Sequence, residues 1–402
     1  MRILAFDLKG LRLYDKGTLR MILFAEDRIT NGSFTYRLQG TTSPLGIVTA
    51  IGISGINASG KTTDLRLLSL IINIARGTSL GTQRFTIDPL MDILEPTITA
   101  RIIFEESGEA WLLDATLRRA DQNETTADSP LVFERERLCH YTGKSLSKIR
   151  LKRTIDGNEE SWLTVATRGV NKSGDEKELA DDVKRFLPPD RSLTTGILRT
   201  KKTMVTICLQ NPPQMSIPVT PPPQVVRLFD PTIEHLEVSD HQFHIKFRNE
   251  KVERDCDPSQ AMAMISAGTF RGTSLAQHAI ETLAQGGYLL FDEIENSINK
   301  QLVFAIIDLF SSPATNPNGA VLVFSTHYPE LLDHFTRKDN IWFAVRHDNT
   351  GFQLVRYNEL VTRGELKKSV QFMSGALQGT APSAASIRAL RSYVREKVRV
   401  HG

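Results

Sequence analysis

The chain has 402 residues, and 49 lysines and arginines against 46 aspartates and glutamates give it a formal net charge of +3. No apolar run approaches the roughly 20 residues that cross a bilayer, and Asp7 comes too early for a secretion signal. We therefore expect a cytoplasmic protein without a membrane partner. The charge is too small to indicate nucleic-acid binding without a local basic cluster. Three cysteines without CxxC spacing indicate neither a disulfide framework nor a zinc site.

The amino-terminal segment predicts antiparallel strands. Apolar residues alternate between residues 3 and 8 and again between 21 and 25, and the run Asp15-Lys16-Gly17 supplies turn chemistry between them. A chain of this length also exceeds the range in which one compact core keeps growing. We therefore expect either two lobes or one core with a large insertion.

A glycine-rich run follows, with the sequence Gly55-Ile56-Asn57-Ala58-Ser59-Gly60-Lys61-Thr62-Thr63. It lies between an apolar, strand-like stretch (46–54) and an apolar, helix-like stretch (65–75), which is the context of a phosphate-binding loop. Glycines at 55 and 60 let backbone N–H groups close around phosphate oxygens, and the helix directs its positive end at the same anion. Lys61 is placed to reach the β- and γ-phosphates, and the Thr62 hydroxyl suits Mg²⁺. The run predicts binding of ATP or GTP.

The middle of the chain predicts short elements without a coiled-coil arm. We expect strands at 97–104, 110–117 and 131–134, an amphipathic helix at 175–186, an exposed proline-rich connector at 211–223, and strands at 225–229 and 243–247. A helix, a strand, a helix and a strand should follow between residues 260 and 325.

Two apolar strands of that last region end in chemically active residues. The run 288–291 ends in Asp292 and Glu293, as a buried parallel strand delivers acids at its carboxyl end. Asp292 would hold the Mg²⁺ shell, and Glu293 would orient or deprotonate the attacking water. The second strand, 320–324, precedes His327, which is placed to sense the γ-phosphate. Each feature alone has a plainer interpretation, a solvated acidic turn or a buried imidazole.

A serine-containing turn precedes the acidic strand. Ser266, Ala267, Gly268 and Thr269 stand before a predicted helix at 274–283 and offer another helix N-terminus to an anion. Taken singly, such a turn is more often a simple helix cap. Its position between the phosphate loop and the acids favours a nucleotide-binding role.

Together these motifs resemble those of ABC-type ATPases of the SMC/RecF superclass, specifically the OLD/AbiEii-like ATPases of bacterial anti-phage defence. The matching runs are Gly-Ile-Asn-Ala-Ser-Gly-Lys-Thr at 55–62, Ile-Ser-Ala-Gly-Thr at 265–269, Leu-Leu-Phe-Asp-Glu-Ile-Glu-Asn-Ser at 289–297 and Phe-Ser-Thr-His-Tyr-Pro-Glu-Leu-Leu-Asp at 324–333, with weaker similarity at 228–233 and 375–382. The family usually has a histidine where this chain has Asn299, and Gln83 is a weak candidate for a glutamine common after the phosphate loop. The acids of a Toprim nuclease domain are missing from the roughly 75 residues after His327.

The resemblance implies an α/β fold: a P-loop NTPase of the ABC ATPase-head type, with a mixed central sheet, an antiparallel β subdomain and an inserted α/β region. We expect the head in segments 1–104 and 228–380, an insertion at 105–227, and a basic amphipathic helix at 381–402. The resemblance further implies ATP and Mg²⁺ as ligands, with Mg²⁺ held by Thr62 and Asp292. Residues 55–63 would bind the nucleotide, and Lys61, Glu293 and His327 would be catalytic.

In the same family, residues 266–269 of one copy close over the nucleotide of another, so a homo-oligomer with at least a dimer of heads is implied. The favoured interpretation is an ATPase that acts as sensor or regulatory subunit and controls a separate toxin or nuclease effector. Two alternatives stay open. One is a RecF-like repair ATPase that binds DNA through the arginine-rich helix at the carboxyl terminus, and the other is a nucleotide-gated scaffold without significant turnover.

Overall fold

The computed structural model describes residues 1–29, 33–38, 45–120, 129–170, 177–197, 203–209, 217, 219–240, 242–347, 351–360, 367–373 and 384–400. The strands are β1 Arg2–Leu11, β2 Thr18–Ile22, β3 Thr35–Arg37, β4 Gly46–Val48, β5 Ala50–Ser54, β6 Leu94–Glu106, β7 Glu109–Arg119, β8 Leu131–Tyr141, β9 Trp162–Arg168, β10 Met204–Cys208, β11 Ile233–Ser239, β12 Gln242–Phe247, β13 Arg254–Cys256, β14 Gly287–Phe291, β15 Val321–Thr326, β16 Ile341–His347 and β17 Gly351–Arg356.

The helices are α1 Lys61–Ala75, α2 Arg84–Ile87, α3 Lys148–Ile155, α4 Asp181–Phe186, α5 Pro223–Phe229, α6 Pro258–Met264, α7 Ala267–Gln285, α8 Lys300–Asp308, α9 Tyr357–Leu360, α10 Lys368–Met373 and α11 Ala384–Val400. No helix within the described ranges is long and apolar enough to cross a membrane.

A six-stranded mixed sheet carries the phosphate loop. Its strand order is β10-β14-β15-β5-β16-β17, parallel throughout except for the antiparallel pair β16–β17. Ser54 at the end of β5 pairs with Thr326 on one side and with Phe343 on the other. Because the carboxyl ends of parallel strands meet at one edge, residues that follow β14, β15 and β5 are brought together there.

A second six-stranded sheet is antiparallel, with the order β2-β1-β6-β7-β8-β9. The predicted amino-terminal strands and the turn between them are confirmed, and the strands predicted at 97–104, 110–117 and 131–134 are present but longer. Two smaller sheets, β11-β12-β13 and β3-β4, complete the strand pairing of the described residues.

The mixed sheet is covered on both faces. Tyr288 and Leu290 of β14 belong to the core shared with α1 and the antiparallel sheet, whereas Leu289 and Phe291 belong to a second core under α7 and α8. This alternation follows from the two-residue period of a strand. The molecule is therefore layered as antiparallel sheet, α1, mixed sheet, and α7 with α8.

Helix α1 is apolar around most of its circumference because it lies between two sheets. From Leu65 to Ala75 nearly every side chain is buried, and the polar Asn73 is satisfied by donating to the Ser69 carbonyl at 2.9 Å. The helix ends before Gly77, which adopts a left-handed φ of 61°. Truncating one of its buried leucines to alanine should cost about 2 to 5 kcal/mol.

Three expectations for the middle of the chain need correction. The strand predicted at 225–229 is wrong, because the segment forms α5, whose first residue Pro223 has the backbone φ that suits a first helical turn. The helix predicted at 175–186 is confined to α4 among the described residues, and Glu178 before it instead accepts a hydrogen bond from Thr167.

The connector at 211–223 is not simply exposed. Ile217 and Pro221 are buried, and Gln277 of α7 donates to the Val219 carbonyl at 2.8 Å. Residues 211–216 and 218 lie outside the described residues, as does the similarity at 375–382. The segment thus packs along α7 where the structure describes it.

The segments predicted as ATPase head and as insertion contribute strands to the same sheets. Strand β6 runs across the expected boundary between residues 104 and 105, and β10 from within 105–227 pairs with β14 of the mixed sheet. A division of the chain into head and insertion stays a prediction, and strand pairing joins the two parts.

Candidate functional site

The loop between β5 and α1 has a backbone shape that demands glycine. Gly60 has a left-handed φ of 97°, and a Cβ on Gly55 would lie 2.5 Å from the Ala344 carbonyl oxygen. Ala58 also adopts a left-handed φ of 59° at the tip. The loop therefore folds tightly over the N-terminus of α1, the end of a helix whose first backbone N–H groups have no acceptor within the helix.

Lys61, the first residue of α1, folds back over the loop. Its Nζ donates to the carbonyls of Gly55 at 2.9 Å and Ile56 at 3.0 Å, and lies 3.4 Å from His327 Nδ1. Burial lowers the pKa of the Lys61 amine, and the negative charges of Asp292 and Glu293 oppose that shift. The side chain is held at the mouth of the loop, where a phosphate oxygen would compete with the two carbonyls.

Thr62 and Asp292 meet although 230 residues separate them. The Thr62 hydroxyl donates to Asp292 Oδ2 at 2.9 Å, and the Ser325 hydroxyl donates to Asp292 Oδ1 at 2.5 Å. Octahedral Mg²⁺ holds its ligands at about 2.0 to 2.1 Å, which places neighbouring ligand oxygens about 2.9 Å apart. One hydroxyl and one carboxylate at this separation therefore fit two neighbouring positions of a magnesium shell.

The described residues contain no cluster of three or more histidine, cysteine or acidic side chains that could hold a metal by themselves. Mg²⁺ in phosphate-transfer sites is usually held by one or two protein oxygens, with phosphates and waters completing the shell. Thr62 and Asp292 correspond to that mode of binding.

Glu293 and His327 form a pair beside Lys61. Glu293 Oε1 lies 3.1 Å from His327 Nε2, and both side chains are about one-third exposed. Because Lys61 can only donate, its contact with Nδ1 assigns the proton of a neutral His327 to Nε2, which then donates to Glu293. The backbone of His327 is fixed by donating to Glu295 Oε1 at 2.7 Å.

The acidic turn is held by two residues for which sequence reasoning assigned no role. Glu293 has a left-handed φ of 49°, and its N–H donates to Ser325 Oγ at 2.8 Å. The buried Arg271 of α7 donates to the carbonyls of Asp292 at 2.7 Å and Glu293 at 2.8 Å. Ser325 could have been found as a hydroxyl at the end of the strand next to the acids, but no local pattern marks Arg271.

The serine turn opens α7 earlier than predicted. Ser266 is the exposed N-cap, its Oγ accepting from the Thr269 N–H at 3.0 Å, so the helix begins at Ala267 rather than near residue 274. A Cβ on Gly268 would lie 2.2 Å from the Ser297 carbonyl oxygen, which places the turn against the loop that follows Glu293. Residues 266–269 are absent from the described residues that line the cleft.

That cleft has a volume of about 1190 Å³ and adjoins the phosphate loop. It is lined by Gly55, Ile56, Asn57, Ala58, Ser59, Gly60, Lys61, Thr62, Thr63, Glu293, His327, Arg346, Phe352 and Phe372. Sequence reasoning missed the last three residues, which come from β16, β17 and α10. All nine predicted residues of the phosphate loop line this one cleft.

Two other expected positions lie away from it. Gln83 accepts from Asn73 Nδ2 at 3.3 Å, near the far end of α1 and about 18 Å of helix from Lys61. Asn299 caps α8, accepting from the Gln301 N–H at 2.8 Å. In this chain both residues have local structural partners.

No protein-family model matches the chain, and no curated protein matches it. Among solved structures it is similar to the SMC head domain from Thermotoga maritima, with a TM-score of 0.38 and 14% sequence identity over 89% of this chain and 99% of that chain. A likeness this weak carries no inference about individual residues or about activity.

The fold class follows from the molecule's own topology. A phosphate loop follows β5, the strand β15 separates β5 from the acidic strand β14, and an antiparallel sheet packs over α1. This is a mixed α/β architecture with a phosphate loop, and the mixed central sheet and the antiparallel β subdomain predicted from the sequence are confirmed.

Proposed function

We propose that this chain binds ATP with Mg²⁺ at the phosphate loop and hydrolyses it to ADP and phosphate. The supporting observation is the convergence of Lys61 and Thr62 with Asp292, Glu293 and His327 at one edge of the mixed sheet. These three short motifs are distant along the chain, and a shared ligand would account for their meeting at one place. ATP is preferred to GTP on the motif resemblance.

In the proposed mechanism the loop N–H groups and Lys61 bind the phosphate oxygens. Thr62 and Asp292 would hold Mg²⁺, which supplies positive charge to the β- and γ-phosphates during transfer. Thr62 and Asp292 already lie 2.9 Å apart, so they would hold the ion with little side-chain movement.

Glu293 is the group that accepts a proton from, or orients, the attacking water. Its Oε1 now accepts from His327 Nε2, so the same N–H is available to turn toward a γ-phosphate oxygen when one is present. His327 would thereby report the γ-phosphate to Glu293. Neither side chain is deeply buried, so water can reach both.

We further propose that residues 266–269 complete the site of a second copy. They are anchored on the loop after Glu293, and Ser266 is exposed at the start of the 19-residue helix α7. ATP would join two heads and hydrolysis would separate them, a population shift that depends on differential binding to the two states. The proposed partners are thus a second copy of the chain and a separate downstream protein.

The biological role that we propose is control of a separate toxin or nuclease effector in anti-phage defence, through this nucleotide-dependent association. It rests on the motif resemblance alone. Co-purification of a neighbouring gene product with the full chain, released or retained according to nucleotide, would support it. A chain that captures no such product in any nucleotide state would contradict it.

One observation favours the DNA-binding alternative. Helix α11 exposes Arg388, Arg391 and Arg395, and basic side chains on one helix suit a phosphate backbone. If DNA is bound there, affinity should fall steeply with salt and should disappear when residues after 383 are deleted. Salt-independent or unchanged binding would exclude this role for α11.

The decisive experiment for the enzymatic proposal compares the wild-type chain with Glu293→Gln. Glutamine keeps the shape of Glu293 but cannot take a proton, so phosphate release should fall by about 10² or more while ATP binding persists. Phosphate release and nucleotide binding are measured on the same samples, with the exposed Glu281→Gln as control. Undiminished turnover in Glu293→Gln would refute the role of Glu293. A wild-type chain that binds ATP without releasing phosphate would favour the scaffold alternative.

A further inference from the structure

The cleft has two chemically different sides, separated by the phosphate loop. Glu293 and His327 follow β14 and β15, on one side of β5, whereas Arg346 and Phe352 belong to β16 and β17 on the other side. A nucleoside triphosphate carries its γ-phosphate at one end and its base at the other. If the carboxylate side holds the γ-phosphate, as proposed above, the base lies toward β16 and β17.

Phe352 is positioned directly against the loop. A Cβ built on Gly60 would lie 3.3 Å from Phe352 Cδ1, so the ring abuts the junction between the loop and α1. Phe352 is fixed by two contacts. Its backbone N–H donates to the Leu13 carbonyl at 2.7 Å, and the Tyr14 ring packs edge-on against its ring with the ring centres 5.8 Å apart. A half-buried aromatic side chain is thus held rigidly at the rim of the cleft.

Arg346 extends this surface. It pairs with Phe352 across the β16–β17 hairpin, and its guanidinium lies 5.5 Å from the centre of the Phe352 ring. The guanidinium is exposed, so a planar group can approach it. Nucleobases stack on aromatic rings and on guanidinium planes, and stacking tolerates different bases because every base has a π-face.

We propose that Phe352 and Arg346 form the platform on which the purine base of the nucleotide stacks. This inference depends on the proposed nucleotide site and identifies how that site recognises its ligand. Beyond the phosphate loop, the lining residues described on this side are Arg346, Phe352 and Phe372, none with an amide or carboxylate to read a base edge. Recognition is therefore mainly by stacking area, which favours purines over pyrimidines.

The test separates base binding from phosphate binding. Dissociation constants for Mg-ATP, Mg-CTP and inorganic tripolyphosphate are measured by calorimetry for the full wild-type chain and for Phe352→Ala. Loss of the ring should weaken ATP binding by about tenfold or more and reduce the preference for ATP over CTP. The dissociation constant of tripolyphosphate should stay within about twofold of the wild-type value. Phe352→Trp should retain ATP affinity, because it keeps a stacking surface.

Phe85→Ala is the matched control. Phe85 is an exposed phenylalanine that, like Phe352, has an arginine over its ring, Arg66 at 5.8 Å, but it does not line the cleft. Loss of the Phe85 ring should leave the dissociation constants of all three ligands unchanged. Equal weakening of ATP and tripolyphosphate by Phe352→Ala would mean that the ring only supports the loop, and unchanged ATP affinity would mean that no base stacks there. Either result overturns the platform and leaves the proposed ATPase intact, whereas a wild-type chain that binds neither ligand contradicts the nucleotide site itself.

Discussion

Asp64 is a buried acid on the turn of α1 that carries Lys61. It accepts a hydrogen bond from the Tyr14 hydroxyl at 2.7 Å, and burial raises the pKa of its carboxyl to about 7, with Tyr14 and Lys61 acting in the opposite direction. Sequence reasoning did not single out Asp64, because an acid in the first turn of a helix is common. Only its enclosure under Tyr14 makes it unusual.

Replacing Asp64 with asparagine tests this environment independently of any function. Since the folded-state pKa is raised, the native chain retains a proton that the unfolded chain releases, and the Asp64 contribution to stability declines as pH rises from about 4 to about 7. Asparagine keeps an acceptor for Tyr14 but cannot ionise. The stability of Asp64→Asn relative to wild type should therefore increase between pH 5 and pH 8, by about 2 to 3 kcal/mol.

The measurement is the midpoint of urea unfolding of both chains at several pH values. Asp88→Asn, at an exposed acid after α2, serves as control for the loss of a surface carboxylate. A difference between Asp64→Asn and wild type that stays constant over this range would mean that Asp64 is ionised throughout.

At the scale of elements, the ends of β14 and β15 form one unit. The Ser325 hydroxyl donates to the Asp292 carboxylate and accepts from the Glu293 N–H, so it joins the tip of one strand to the acids of the next. Arg271 of α7 holds the same turn from the opposite side through its carbonyls. The two acids are therefore oriented by neighbouring elements as well as by their own strand.

Ser325→Ala should disturb the metal site more than the fold. Removing one hydrogen-bonding hydroxyl costs about 1 kcal/mol of stability, whereas residues that orient a metal ligand typically change metal affinity by about 10- to 100-fold. We expect the Mg²⁺ concentration for half-maximal ATP binding to rise by about tenfold. Titration of Mg²⁺ at fixed ATP measures this directly.

Thr326→Val is the control for that experiment. Thr326 is the next buried residue of β15, but its hydroxyl contacts the backbone of Tyr328 and neither carboxylate. It should leave the Mg²⁺ requirement unchanged. An unaltered requirement in Ser325→Ala as well would show that Ser325 does not orient Asp292 toward a metal.

At the scale of the whole molecule, the layers place the phosphate loop and the serine turn on different elements around one sheet. The phosphate loop and Glu293 line one cleft of a single chain, and residues 266–269 are not among the described residues that line it. If a second copy supplies them, two defective chains can complement each other. A site contained in one chain cannot be rescued in this way.

Mixing Lys61→Ala with Ser266→Arg tests this arrangement. Each variant alone should lose most of its ATP turnover, because every site in its homodimer is damaged. In a mixed dimer one site combines an intact phosphate loop with an intact serine turn, so an equal mixture should recover about a quarter of wild-type turnover. Phosphate release by the mixture is compared with that of each variant alone.

The matched control mixes Lys61→Ala with Glu293→Gln, whose altered residues belong to the same chain's half of the site. No recovery is expected there, since every site carries one defect. Absence of recovery in the first mixture, with ATP-dependent dimers present by mass photometry, would exclude the shared site.

Local patterns predicted the phosphate loop, its flanking strand and helix, and the acidic strand, because each depends on residues within about ten positions. Predictions were less successful where competing signals were nearly balanced. The two valines at 225 and 226 favoured a strand, but the proline at 223 and burial against the three-stranded sheet produced α5. The roles assigned to the site residues stay predictions, whereas their convergence is a feature of the fold.

The phosphate loop, and the two acids and the histidine that follow apolar strands, can be identified from the residues alone, because each is a short run with a characteristic spacing. The folded chain was needed to show that Arg271 and Ser325 hold the acids, that Tyr14 covers Asp64, and that Phe352 and Arg346 lie beside the loop. These contacts depend on which elements pack together and on strand register, since a shift of one residue would turn a strand side chain such as that of Ser325 to the opposite face.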